Sequence, residues 1–261
     1  MEFVTTEIEN RIAEVTFARG DGLNALSAQA MEELRDTARA LQADPDIVAV
    51  ILKTDGKFSA GADLRDRSQN VMATGTLLEK RQFLKLGPDM CQAWQDIEAY
   101  TIAAIEGFCI GGGSALAAAI DYRIMGRSGH MRLPEIPLGM NMSWQSVPRM
   151  VNLIGPARTK QLSIIADIVE AEEAHRWGLV EELAGDETAF DLALSYAKKI
   201  AERPPLPVRM IKQGASVAAN ALNHATSYMD IDQYALATLS EDYAEGIKAF
   251  TEKRDPKFTG R

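Results

Sequence analysis

Cysteine is nearly missing from this chain: Cys91 and Cys109 are the two among 261 residues. A chain of this length can bury a large core without covalent staples, so a disulfide framework is not expected and a reducing compartment is the default. Histidine is also scarce. His130, His175 and His224 show no metal-ligand spacing and no CxxC pair joins them, so no metal site is expected. Positive charge is in deficit, with 28 Lys and Arg against 37 Asp and Glu and a formal net charge of -9. That balance argues against a nucleic-acid partner, which needs a basic face. No apolar run is long and uncharged enough to span a bilayer, and the opening MEFVTTEIENRIAEV lacks the basic-then-apolar order of a signal peptide. The expectation is a cytoplasmic protein with no membrane partner.

What is present reads as α/β. Phe3 to Ile8 and Arg11 to Phe17 are strand-like around a turn at Glu9-Asn10, and a helix runs from about Ser27 to Leu41 with Met31, Leu34, Ala38 and Leu41 as its apolar stripe. The nearly continuous apolar run Ile47 to Leu52 predicts a strand buried on both faces. From Asp63 to about Pro88 the periodicity is weak and no element can be assigned. Tyr100 to Ile105 predicts a second buried strand, followed by a Gly111-Gly112-Gly113 turn, an apolar helix from Ser114 to Ile120 and a strand from Tyr122 to Met125. After Pro148 the pattern is mainly helical. Gly178 reads as a helix C-cap before a short strand from Leu179 to Leu183, and nothing from Val208 onward reads as a strand.

Three segments carry chemistry. Ser59-Ala60-Gly61-Ala62-Asp63 follows a buried strand, and taken alone it is also an ordinary tight loop. Ile110 to Leu116 opens an apolar helix with three glycines, whose bare backbone N–H groups suit an oxygen gaining negative charge, although such a run can mean only close packing. It is neither a Walker loop nor a dinucleotide fingerprint, and no GxSxG nucleophile elbow occurs. In Leu133-Pro134-Glu135-Ile136-Pro137-Leu138-Gly139, two prolines and apolar neighbours bracket one carboxylate. A frame of that kind limits solvation and raises the pKa, as a general acid/base requires; a solvated loop glutamate is the plainer reading.

Together these segments resemble the crotonase (enoyl-CoA hydratase/isomerase) family. The resemblance runs from Asn24-Ala25-Leu26 through SAGAD, Ile102 to Ile105, Gly107, the glycine triplet, Asp121 and Pro134-Glu135-Ile136. It continues to Trp177-Gly178-Leu179-Val180, Gly246 and Phe250 to Arg254. It implies a spiral of ββα units over residues 1–200 and a C-terminal helical region over residues 201–261 that assembles into trimers or dimers of trimers. It further implies an oxyanion hole from the N–H groups of Ala62 and Gly112, with Glu135 as acid/base. Coenzyme A would enter as part of a thioester substrate, with no permanently bound cofactor. Leu26, Ala60, Ala62, Asp63 and Leu64 would hold it, while Phe250 and Lys253 would reach it from a neighbouring subunit.

The chain departs from the family's hydratases at Ala115, where they carry a second glutamate. That departure suits 3-enoyl to 2-enoyl isomerisation, and leaves hydration with one glutamate, decarboxylation, thioester hydrolysis or a degenerate acyl-CoA-binding scaffold as alternatives. Met140, Asn141, Met142 and Trp144 stand where many relatives have small residues, which implies a reshaped acyl pocket or a methionine-rich core patch. His130, beside the Pro-Glu segment, reads as packed or solvated.

Overall fold

Strand pairing begins with a hairpin, β1 (Val4–Glu9) and β2 (Ile12–Phe17), in antiparallel register with Glu9 opposite Ile12. The turn is therefore Asn10-Arg11, one residue later than the sequence suggests. Both residues have positive φ (51° and 69°), as a two-residue loop matched to strand twist requires. The computed structural model describes residues 1–66, 70–185 and 188–261. Residues 67–69, inside the segment that sequence reading left unassigned, lie outside the described residues. The remainder of that segment leads into three helices: α2 (Asn70–Thr74), α3 (Leu77–Leu84) and α4 (Leu86–Gln95).

Before them stand α1 (Ala28–Gln42), capped by Ser27 Oγ accepting from Ala30 N–H, and β3 (Ala49–Thr54). After them come β4 (Tyr100–Ile105), β5 (Phe108–Ile110), α5 (Gly112–Ala118), β6 (Tyr122–Met125) and β7 (His130–Arg132). Next follow α6 (Ser146–Lys160), β8 (Val169–Glu170), α7 (Ala171–Trp177), β9 (Glu182–Leu183) and α8 (Ala189–Ala201). Four helices finish the chain: α9 (Pro205–Asn220), α10 (Asn223–Ser227), α11 (Asp230–Ala237) and α12 (Glu241–Glu252). No helix among the described residues is long and apolar enough to cross a membrane.

The strands form two sheets. The larger has the order β1-β2-β3-β4-β6-β9, parallel after the first pair, and the smaller has the order β5-β7-β8. Successive strands β4 and β5, and again β6 and β7, divide between them. Alternation across β3 and β4 explains their unbroken apolar sequence. Val50, Leu52, Ala103 and Ile105 enter one core, while Ala49, Ile51, Ile102 and Ala104 enter a second core beneath α8. That helix presents Ala189, Ala193 and Ala197, one turn apart and fully buried, so it can approach the sheet closely.

An ion pair between buried Lys212 and half-buried Asp121 fastens α9 to this sheet. Lys212 Nζ lies 2.6 Å from Asp121 Oδ2 and donates to Ala99 O at 2.8 Å. The same Asp121 oxygen accepts from Thr101 N–H and Oγ1. Burial holds the Lys212 ammonium below its ordinary pKa, with Asp121 opposing that shift. Asp121→Ala should therefore cost about 3–5 kcal/mol, because it strands a buried charge. Asp121→Ala combined with Lys212→Met should recover most of the loss. Urea unfolding of the single and double variants checks this, and simply additive losses would contradict it.

Candidate active site

The loop after β3 is built to bring backbone against backbone. Ser59 Oγ donates to Asn24 O at 2.7 Å and accepts from Gly61 N–H at 3.1 Å. Gly61 has φ +87°, and a Cβ there would sit 2.8 Å from Ile110 O and 3.2 Å from Gly112 N. Only glycine permits both the conformation and the contact. Leu26 N–H donates to Gly61 O at 2.8 Å, and Asp63 N–H donates to Leu26 O at 3.1 Å. This ladder turns the intervening Ala62 N–H the opposite way, and it has no hydrogen-bond acceptor among the described residues. Gly112 N–H, at the first position of α5, likewise has none.

Glu135 stands opposite, at the head of a short 3-10 turn (Ile136–Leu138). Its Oε1 lies 2.9 Å from where a Cβ on Gly111 would be, so the glycine gives the carboxylate its room. Its Oε2 is buried with no hydrogen-bond partner among the described residues. Burial pushes the carboxyl up to about 7, while its own backbone N–H and the Arg132 charge pull the other way. Tyr234 and Tyr243 line the same cavity from α11 and α12, and burial raises the pKa of both phenols. Ala115 is fully buried in α5 and lies off the cavity wall.

Leu26, Ala60, Ala62, Leu64, Gly112 and Glu135 all line this one cavity of about 450 Å3. Phe250 joins them from α12 of the same chain, where α12 folds back onto the Glu135 turn. Two expected ligand-holding residues are not on the wall. Asp63 is ion-paired to Arg19 at 2.8 Å, which ties the loop down. Lys253 is an exposed left-handed C-cap of α12; the neighbouring Arg254 reaches the wall and is paired with Glu245 and Glu252. His130 packs by the Phe108 ring, with centroids 6.3 Å apart. Both cysteine thiols are free and buried, and burial pushes each up to about 12, too high for a reactive nucleophile.

Sequence reading missed the tyrosines, Arg254 and the setting of Trp144. Trp144 and Gln145 both have positive φ (61° and 55°), a conformation costing roughly 1–2 kcal/mol each for a residue with a Cβ. Two buried or half-buried groups hold the pair there. Arg149 Nη1 donates to Trp144 O at 2.9 Å, and Gln145 N–H donates to Asp230 Oδ2 at 2.7 Å. No local motif marks these partners.

The buried carboxyl also sets a pH dependence of stability. Between about pH 4.5 and 7 the folded chain keeps a Glu135 proton that an ordinary glutamate releases. Its contribution is therefore complete below the lower value and lost as pH rises through the upper one, at a cost on the order of 3 kcal/mol. Glu135→Gln should be more stable than the unsubstituted protein at pH 8–9 and close to it near pH 4–5. Urea unfolding at both pH values checks the sign.

Comparison with known proteins places the chain in a family. The enoyl-CoA hydratase/isomerase family model matches residues 7–261. The chain is 31% identical over 262 residues to crotonyl-CoA hydratase of Syntrophomonas wolfei, covering 100% of this chain and 99% of that protein. It is 28% identical over 263 residues to 1,2-epoxyphenylacetyl-CoA isomerase of Escherichia coli, covering 100% of both. A solved enoyl-CoA hydratase/isomerase from Pseudoalteromonas atlantica superposes with a TM-score of 0.85 at 25% identity, over 98% of this chain and 100% of that one. The chain belongs to the enoyl-CoA hydratase/isomerase family, with an α/β crotonase fold, and is an enzyme acting on CoA thioesters.

Proposed function

We propose that the enzyme moves a carbon–carbon double bond within an acyl-CoA thioester, from the 3-enoyl to the 2-enoyl position, using Glu135 as its one proton carrier. The observation that carries this reading is the lone, desolvated carboxylate. Among the described cavity-lining residues the acids are Glu135 and Asp66, and Asp66 Oδ2 accepts from Ala28 N–H at 2.7 Å, at the start of α1. Addition of water is served by two groups, one activating the water and one delivering a proton. Moving a proton between two carbons on one face needs one.

The steps balance with this chain's own groups. Ionised Glu135 takes the proton from the carbon next to the thioester carbonyl. The electron pair of that C–H bond passes to the carbonyl oxygen, giving an extended enolate. The N–H groups of Ala62 and Gly112 hold that oxygen, each contributing about 3–4 kcal/mol where charge develops. The enolate then reclaims the proton from Glu135 at the far end of the original double bond, which shifts by one position. A carboxyl near pH 7 can both remove and return a proton at neutral pH.

Three outcomes are expected. Glu135→Gln should lower turnover of a 3-enoyl-CoA by about 10²–10⁴-fold while leaving affinity for free CoA nearly intact. In the unsubstituted enzyme kcat/KM should rise through about pH 7 and level off above it, as the base ionises, and the glutamine variant should lose that limb. Full activity in Glu135→Gln would remove Glu135 from the chemistry and favour decarboxylation or hydrolysis. Ala62→Pro deletes one N–H and should cost about 10²–10³-fold in kcat if the variant folds. It is a cleaner probe than proline at Gly112, where added atoms would strike Trp144 at 2.4 Å.

A further inference from the structure

Trp144 occupies a slot that only glycines leave open. A Cβ on Gly87, in the first turn of α4, would lie 2.0 Å from its Cε2 and 2.4 Å from both Cδ2 and Nε1. A Cβ on Gly112 would lie 2.4 Å from Cζ3 and 2.6 Å from Cη2. The indole is thus wedged between two helix N-termini, its five-membered ring on Gly87 and its six-membered ring on the residue whose N–H faces the cavity. Its backbone is held in the left-handed region from both sides. Arg149, nearly fully buried, donates to Trp144 O and to the side-chain oxygens of Gln92, Gln95 and Gln145, and Asp230 accepts from Gln145 N–H. A side chain strained at its backbone, clamped at its ring and fixed by a buried guanidinium resists moving aside for a bulky ligand.

We propose that Trp144 is the specificity-determining wall of this enzyme, selecting thioesters whose acyl group is unbranched beside the carbonyl. The inference rests on the thioester reading above. A carbonyl oxygen bonded to Gly112 N–H brings the first acyl carbons against the six-membered ring. A methylene carbon presents only hydrogens to that face, whereas a quaternary carbon drives a methyl into it. Asp230 and Arg149 act through the tryptophan as positioning residues. Gly87 is the test point, because it has an ordinary φ and alanine suits its helix, yet the new Cβ must displace the indole into the cavity.

The experiment is equilibrium binding by titration calorimetry of free CoA, butyryl-CoA and pivaloyl-CoA, none of which needs turnover to be read. The proteins are the unsubstituted enzyme, Trp144→Ala, Gly87→Ala and the double variant. A misplaced methyl group in an apolar pocket is worth about 10–200-fold, so the unsubstituted enzyme should prefer butyryl-CoA by that order. Trp144→Ala should reduce the preference by about tenfold or more without changing free CoA affinity. Gly87→Ala should weaken both acyl ligands but not free CoA, and should have no effect once Trp144 is alanine. An unchanged preference in Trp144→Ala overturns the proposal. So does a Gly87→Ala enzyme that binds both acyl ligands as tightly as the unsubstituted one, a readout that stands even if Trp144→Ala folds poorly. Failure of the unsubstituted enzyme to bind any CoA ligand would instead overturn the thioester reading and this inference with it.

Discussion

The close approach of Gly61 to the start of α5 is the contact on which the site depends. There, 2.8 Å separates the place of a Cβ from Ile110 O, so any side chain would push the loop and β5 apart. Because the two backbones touch, the N–H groups of Ala62 and Gly112 come to the same cavity while their neighbours stay bonded elsewhere. Ser59 and the Arg19–Asp63 pair hold the loop to its geometry, so the donors are fixed before any ligand arrives. Preorganised donors cost no reorganisation at the moment charge develops, which is why backbone amides serve this purpose well.

The opposite wall works by withholding partners. Glu135 Oε2 has no donor among the described residues, and the burial that leaves it so also raises its pKa. A hydrogen-bond donor placed there would stabilise the folded, ionised form and lower the carboxyl toward its ordinary value, weakening it as a base near neutral pH. The stability lost above pH 7 and the capacity to accept a proton there are one quantity seen from two sides.

The large features were open to sequence reading because each is set by nearby residues. Tyr100 to Ile105 and Tyr122 to Met125 are strands over the residues their apolar runs indicate, and α1 begins beside Ser27, where its periodicity begins. Strands β5, β7 and β8 span three, three and two residues, too few for alternation to show, so the smaller sheet escaped notice. The hairpin turn slipped by one because Asn10 is a natural left-handed residue but its partner Arg11 is not, and register decided between them. Glu135 could be singled out because its proline frame is local. Trp144 could be noted but not explained, since its slot is cut by Gly87 and Gly112 and its backbone is held from α6 and α11.

The same non-local logic makes the C-terminal helices part of the candidate site. A Cβ on Gly246 would lie 2.4 Å from Leu138 C, and one on Gly139 would lie 2.4 Å from Asp242 O. Thus α12 meets the turn bearing Glu135 backbone to backbone, leaving no gap for water between them. Tyr234 and Tyr243 extend that cover, and Asp230, on the helix that carries Tyr234, holds the Trp144 turn. The low polarity that raises Glu135 is therefore supplied from two directions, by its own prolines and by helices that follow about a hundred residues later. Separating α12 from the turn would return solvent to the carboxylate. Its pKa would fall toward that of an ordinary glutamate, and the proposed base would weaken without any change in the residues that carry it.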